Sequence, residues 1–254
     1  MYDFEAIIPS CQPEAVIVKN AEDGPGRRAG DKGRYGRLTR ERVLASALDV
    51  VDRDGLSGLS MRKLGAELGV EAMALYRYAP SKDALLDGLV EEFCLELGRE
   101  LERAPAPGQQ PAKSPTPDWR THLHHIALTT HGVALRHPHV VPLLATRLLS
   151  TPMARQPLSV LRSDERVLAL LHDAGFDDAE AVRIHRAFTA WLLGFLLVDL
   201  RAMDDQPDEP EPAFRLGLHR MPAQELPRLR VAAVGIANRG GPEELAAGLD
   251  ALLR

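Results

Sequence analysis

From residue 38 onward the chain alternates between amphipathic runs at helical spacing and short polar breaks, with no two-residue alternation of the kind a strand requires. Val43, Leu44, Ala47, Leu48, Val50 and Val51 recur as one helical face; Thr39 precedes them as a cap, and Glu41 sits in the first turn, where the helix dipole favours an acid. Gly55 supplies a stop. A second helix is predicted from the Ser60 cap, with Leu59 just ahead of it and Leu64, Ala66 and Leu68 on its inner side, ending at Gly69 after about two turns. A third runs roughly from Glu71 to Tyr78, because Pro80 forbids its continuation. Ser81 caps a fourth, in which Leu85, Leu86, Leu89, Val90, Phe93 and Leu97 repeat. Helical patterns resume near 118–136, 138–150, 158–174, 178–203 and 242–254, so the expected fold class is all-α.

The breaks suggest domains. Residues 1–36 carry glycine, proline and charge without periodicity and read as a disordered arm. Its later half is basic, Arg27, Arg28, Lys32, Arg34 and the adjoining Arg37 standing against Asp31. Residues 99–117 contain "APAPGQQPAKSPTP" and read as a linker between 37–98 and 118–254; "DDQPDEPEP" after Met203 reads as a mobile loop. The 254 residues are 45% hydrophobic and 26% charged, ordinary for a globular protein. No signal peptide is evident, and the run "WLLGFLLV" is far shorter than the ~20 residues a membrane span needs. Two cysteines without metal-type spacing predict no disulfide framework and a reducing, cytoplasmic setting.

Charge is where the pattern becomes chemistry. The formal net charge is −5, yet Arg62, Lys63, Arg77 and Lys82 crowd into two short helices. Helix, tight glycine turn, helix, within a three-helix unit, is the helix-turn-helix arrangement, whose second helix enters the DNA major groove. Ala72, Met73, Tyr76 and Arg77 share one face of that helix, while Leu75, Tyr78 and Ala79 lie toward the other. Arg62 can meet a guanine or a phosphate, and Lys82 sits at a helix N-terminus that favours an anion. Scattered basic residues on an amphipathic helix, with Tyr76 at the edge of a core, would produce the same pattern without DNA.

The sequence "LTRERVLASALDVVDRDGLSGLSMRKLGAELGVEAMALYRYAPSKDALLDGL" resembles the DNA-binding domain of the tetracycline repressor (TetR) family, through "GLSMRKLGAELGV", "ALY" and "SKDALL" in that order. The resemblance implies that Ser60 and Arg62 begin the first helix of the motif. It places Ala72, Met73 and Ala74 at the base-reading start of the recognition helix, and makes Tyr76 and Lys82 phosphate contacts. Arg77 and Tyr78 fall at two further contact positions. Ala79 and Pro80 depart from the family pattern at the end of that helix.

The later half resembles, more weakly, a tetracycline-repressor-type C-terminal domain, in "DWRTHLHHIALTTHGVALRHPHV", "LLHDAGFDDAEAVRIHRAFTAWLLGFLLVDL" and "PEELAAGLDALL". That implies a homodimer bound to double-stranded operator DNA and released by a small-molecule effector. Trp191, Phe195 and Val198, within an apolar run suited to burial on all sides, become dimer-interface candidates. A buried helix of a monomer core fits the run as well. Trp119, His122, His125, Leu128 and Thr129 are candidates for an effector pocket. His122 and His125 have the spacing of metal ligands, but no carboxylate or cysteine completes a site, so no metal or cofactor is expected. The family's drug-and-magnesium histidine and glutamate fall near Pro142–Leu143 and at Ala179, so tetracycline–magnesium is not the expected ligand. No nucleophile–base pair, phosphate loop or acid pair supports an all-α enzyme. A helical dimer that contacts only proteins is the remaining alternative. The basic arm, through Arg34 and Arg37, is a candidate for the minor groove.

Overall fold

The computed structural model describes residues 38–103, 118–200, 208–238 and 240–254. The expected arm, the loop from 201 to 207, most of the expected linker and Arg37 lie outside them. The described residues are helical, without strands: α1 (Arg40–Gly58), α2 (Met61–Leu68), α3 (Ala72–Leu75), α4 (Lys82–Arg103), α5 (Trp119–Arg136), α6 (Val141–Ser150), α7 (Leu158–Asp173), α8 (Asp178–Asp199), α9 (Pro212–Arg215), α10 (Pro227–Ala237) and α11 (Gly241–Leu252).

Local chemistry places the first four. Thr39 Oγ1 accepts the Arg42 amide, Ser60 Oγ accepts Lys63 and Ser81 Oγ accepts Ala84, so each expected cap is made. Gly55 breaks α1 with φ of 71°, and Gly69 closes α2 in the left-handed region at φ 68°. The inner side of α2 differs from the sequence pattern. Leu64, Gly65 and Leu68 are buried, whereas Ala66 is exposed, because 64 and 68 share a face that 66 does not. Gly65 permits the tight helix–helix approach: a methyl there would stand 2.8 Å from Val70 O and 3.2 Å from Ala72 N, both backbone. The recognition helix is shorter than 71–78 and passes into turns, with Tyr78 and Ala79 both donating to Leu75 O.

α4 joins the two halves of the protein. It continues through Arg103, so residues 99–103, assigned to the linker by composition, are helix. Its apolar residues Leu85, Leu89, Val90, Phe93 and Leu97 are buried, and it packs on α1, α5, α6 and α7. The helix from 178 ends at Asp199. α8, which contains an 18-residue stretch with a mean hydropathy of 1.4, is long and apolar enough to cross a membrane by length and composition, which the eight-residue run understated. It buries Ala181, Phe188, Leu192 and Leu196 and leaves Val182, Leu197 and Val198 exposed, so it is not enclosed on all sides within one chain.

A buried histidine–carboxylate hydrogen bond and two backbone amides fasten α5, α8 and α11 together. His131 Nε2 lies 2.9 Å from Asp199 Oδ2, and Asp199 Oδ1 accepts the Gly240 and Gly241 amides at 2.6 and 3.3 Å. Burial pushes the Asp199 carboxyl up, but these donors outweigh it and hold the carboxyl below its usual range. A carboxyl lowered by folding adds stability above its unfolded value, near 3.8, and that contribution is lost as pH falls through the folded value. Asp199→Asn should therefore lose about 1–3 kcal/mol at neutral pH. In urea melts across pH, the gap between the native chain and the variant should close on acidification; a gap independent of pH would contradict the assignment.

Candidate DNA-binding face and regulatory core

Packing separates the predicted contact residues into two sets. On the first set, Met73 is 78% exposed and Tyr76 43% exposed, with Ala74 and Arg77 beside them in solvent and Ala72 half-buried. Leu75 and Ala79 anchor the opposite side in the core, so the short helix presents one free face. Arg62 and Lys82 flank it, both exposed, and among the described residues neither has a carboxylate within ion-pair distance. The second set is committed internally. Lys63, a member of the basic cluster but not a predicted contact, pairs its Nζ with Asp54 at 2.8 Å, and Asp54 also takes Arg53 at 2.9 Å. Tyr78 is half-buried and donates its hydroxyl to Leu38 O at 2.9 Å, tying the recognition helix to the start of α1. Its geometry is that of an anchor, although the motif places it among the contacts. Ser60 is exposed but its oxygen serves as the α2 cap.

Acidic residues near this face are neutralised from the other half of the chain. Arg147 on α6 reaches Asp83 at 2.6 Å and Asp87 at 3.2 Å, covering the two carboxylates in the first turns of α4, next to Lys82. A second tie comes from the α5–α6 turn. His137 Nδ1 lies 2.7 Å from Asp52 Oδ2 on α1, and Nε2 lies 2.9 Å from Glu96 Oε2 on α4. Serving both carboxylates requires either an imidazolium or a proton on Asp52. Burial pushes the Asp52 carboxyl up against the pull of His137, whereas at Glu96 the effect of burial is outweighed by Arg136 and His137, leaving it below its usual range. His139 packs beside the Gly55 break of α1.

Matches to known proteins follow this division. Residues 43–89 match the family described as bacterial regulatory proteins, tetR family, and residues 110–253 match the tetracyclin repressor-like C-terminal domain. The chain belongs to the TetR family. It is similar to the HTH-type transcriptional repressor DrrR1 of Streptomyces coeruleorubidus, 35% identical over 62% of this chain and 52% of that protein. It is also similar to the class E tetracycline repressor protein of Escherichia coli, 30% identical over 63% of this chain and 68% of that one. The match spans about half of DrrR1 and 59% of a regulator from Saccharopolyspora erythraea. A possible TetR family regulator from Streptomyces coelicolor A3(2) superposes with a TM-score of 0.66 at 25% identity, covering 85% of this chain and 97% of that one.

In this TetR-family core the five pocket candidates all lie on α5. Trp119 packs edge-on against Phe176 at 5.2 Å with Arg120 over its ring, and His122 Nδ1 lies 3.1 Å from the Asp118 carbonyl. Thr129 donates to the His125 carbonyl, and Leu128 is exposed. Cavities open beside Arg147 and Arg155 between α4, α6 and α7, and along the α4–α7 and α7–α8 contacts; the five candidates do not line these three. No group of three or more metal-ligating side chains is assembled among the described residues. The dimer candidates divide as well. Trp191 packs on Gly248 of α11, and Phe195 sits between Trp191 and His131, while Val198 is 67% exposed. No local pattern records the contacts of His137 and Asp199, because each joins residues far apart in the chain.

Proposed function

We propose that the chain is a cytoplasmic, dimeric transcriptional repressor that leaves its operator when a small-molecule effector binds. The observation that carries the DNA reading is the exposed Met73–Tyr76–Arg77 face flanked by Arg62 and Lys82, set against Lys63, which is spent on Asp54. An acidic protein that keeps these cations without a carboxylate partner on one small exposed surface is suited to phosphate. Ala72 and Met73 make no bidentate base contacts, so operator preference rests on close approach and apolar contact. The repressor role is supported by the names of the similar proteins.

Dimerisation is supported by α8. Ala187, Ala190, Gly194 and Val198 lie on one exposed face at helical spacing, and the adjacent α11 adds exposed Ala247 and Ala251. Small residues let helix backbones approach closely, as a four-helix interface between two copies requires. Val198 belongs to that face, and Trp191 and Phe195 support it from within the subunit. The ties from His137 and Arg147 would carry a change in the core to α1 and α4, and so to the separation of the two recognition helices.

The test is selection of duplexes from a random pool with the full chain, followed by anisotropy titration of the winner across salt. Sequence-selective binding by a dimer, weakening steeply with salt, is expected. A chain that recovers no preferred sequence sinks the reading.

A further inference from the structure

Between the later half of α4 and the start of α7 lies a cleft of about 230 Å³. Arg99 enters its wall from α4 and Arg162 and Arg166 from α7, with Ser159 and Ser163 between them. Ser159, Arg162, Ser163 and Arg166 stand on one face of α7. Among the described residues none of the three guanidinium groups has a carboxylate within ion-pair distance, whereas Arg40, Arg53, Arg136 and Arg147 each hold one. Glu102 is the acidic member of the lining. Ser159 Oγ is buried without a hydrogen-bond partner, a state that polar groups in native interiors rarely keep. It lies in the first turn of α7, where free amides and the helix dipole favour negative charge. Gly98 keeps the cleft open, since a Cβ there would meet nothing within 4 Å, and Leu95 and Leu101 supply apolar wall. Burial pushes the Cys94 thiol up to about 12, so it stays neutral and does not compete for the arginines.

We infer that this cleft binds a small organic anion, a carboxylate or phosphate on a short apolar body. Arg162 and Arg166 hold the oxyanion, Ser159 donates its hydroxyl to it, and the apolar body lies along Leu95 and Gly98. The inference rests on the reading of the protein as ligand-responsive and names the chemistry of its ligand. α4 begins at Lys82, so whatever fills the α4–α7 contact acts on the helix that carries a phosphate anchor.

Titration calorimetry of the full chain with hexanoate, hexyl phosphate and hexanol tests it. The two anions should bind and the alcohol should not, and the tighter of the anions identifies the source of the charge. Arg162→Gln with Arg166→Gln should weaken anion binding at least about tenfold, as expected for the loss of charge-assisted bonds. Gly98→Met, which fills the cleft from a helix position with room for a side chain, should block binding with the thermal melt unchanged. Hexanol binding as well as hexanoate, no anion binding, or affinity unmoved in both variants overturns the assignment. Operator affinity is measured separately on the selected duplex. If it does not respond to a bound anion, the cleft stands and the regulatory reading falls; if it responds but is indifferent to both variants, the cleft falls and the regulatory reading stands.

Discussion

Tyr76→Ala combined with Lys82→Ala should weaken operator binding on the order of a hundredfold or more while leaving the helical content and thermal melt of the chain unchanged. The fold is spared because both side chains project into solvent: Tyr76 is 43% exposed, its neighbours Leu75 and Ala79 carry the packing, and Ser81 rather than Lys82 caps α4. The loss is large because a contact to a charged phosphate contributes about 1.5–3 kcal/mol, every 1.4 kcal/mol is a factor of ten, and a dimer loses the pair twice. The salt dependence should flatten too, by about one unit of slope for each phosphate-neutralising lysine removed. Lys63→Ala is the control, since that lysine is occupied by Asp54 and should change affinity little. Undiminished affinity in the double variant would remove these two residues from the interface.

His137→Ala should have the second large effect, on stability and on communication rather than on DNA contact. The imidazole is the link by which the α5–α6 turn holds both α1 and α4. Asp52 Oδ1 is already buried without a hydrogen-bond partner, so losing His137 strands its second oxygen as well. A buried carboxylate left this way costs about 1–3 kcal/mol, or takes up a proton, a step made easier by the upward push that burial already exerts on Asp52. Glu96 keeps Arg136 and is less affected. The expected result is a lower melting temperature together with faster amide exchange in the second half of α1, where Asp52 lies. The circular dichroism spectrum of the folded state should be retained. A variant as stable as the native chain, with exchange in α1 unaltered, would show that the turn is held by packing alone.

The two variants probe different kinds of information. The exposure of Tyr76 was legible from spacing, because a short helix between Gly69 and Pro80 has only one face to offer once Leu75 and Ala79 are drawn into the core. Caps and breaks were legible for the same reason: Thr39, Ser60, Ser81, Gly55 and Gly69 act on backbone groups within a few residues of themselves. Errors began where a side chain's surroundings came from elsewhere. The apolar pattern puts Ala66 on the inner side of α2, yet it is exposed and Gly65 carries the close approach, since the partner surface at Val70 and Ala72 decides which is needed. α10 went unread because it buries only Ala233 and leaves Val231 in solvent, so it has no apolar stripe to detect.

The sequence by itself determined the all-α class, the succession of helices from Arg40 to Ser81 and which face of the short third helix is exposed, because those follow from periodicity and from hydrogen bonds made over a turn or two. Only the tertiary structure decided which charges are spent and which remain available. Asp52 meets His137 across 85 residues and His131 meets Asp199 across 68, separations at which no local pattern records a partner. The same packing paired Lys63, Arg136 and Arg147 and left Arg62, Lys82, Arg162 and Arg166 without a carboxylate among the described residues. A charge becomes a binding group only when folding withholds its neighbours, and that is settled by helix packing rather than by sequence order.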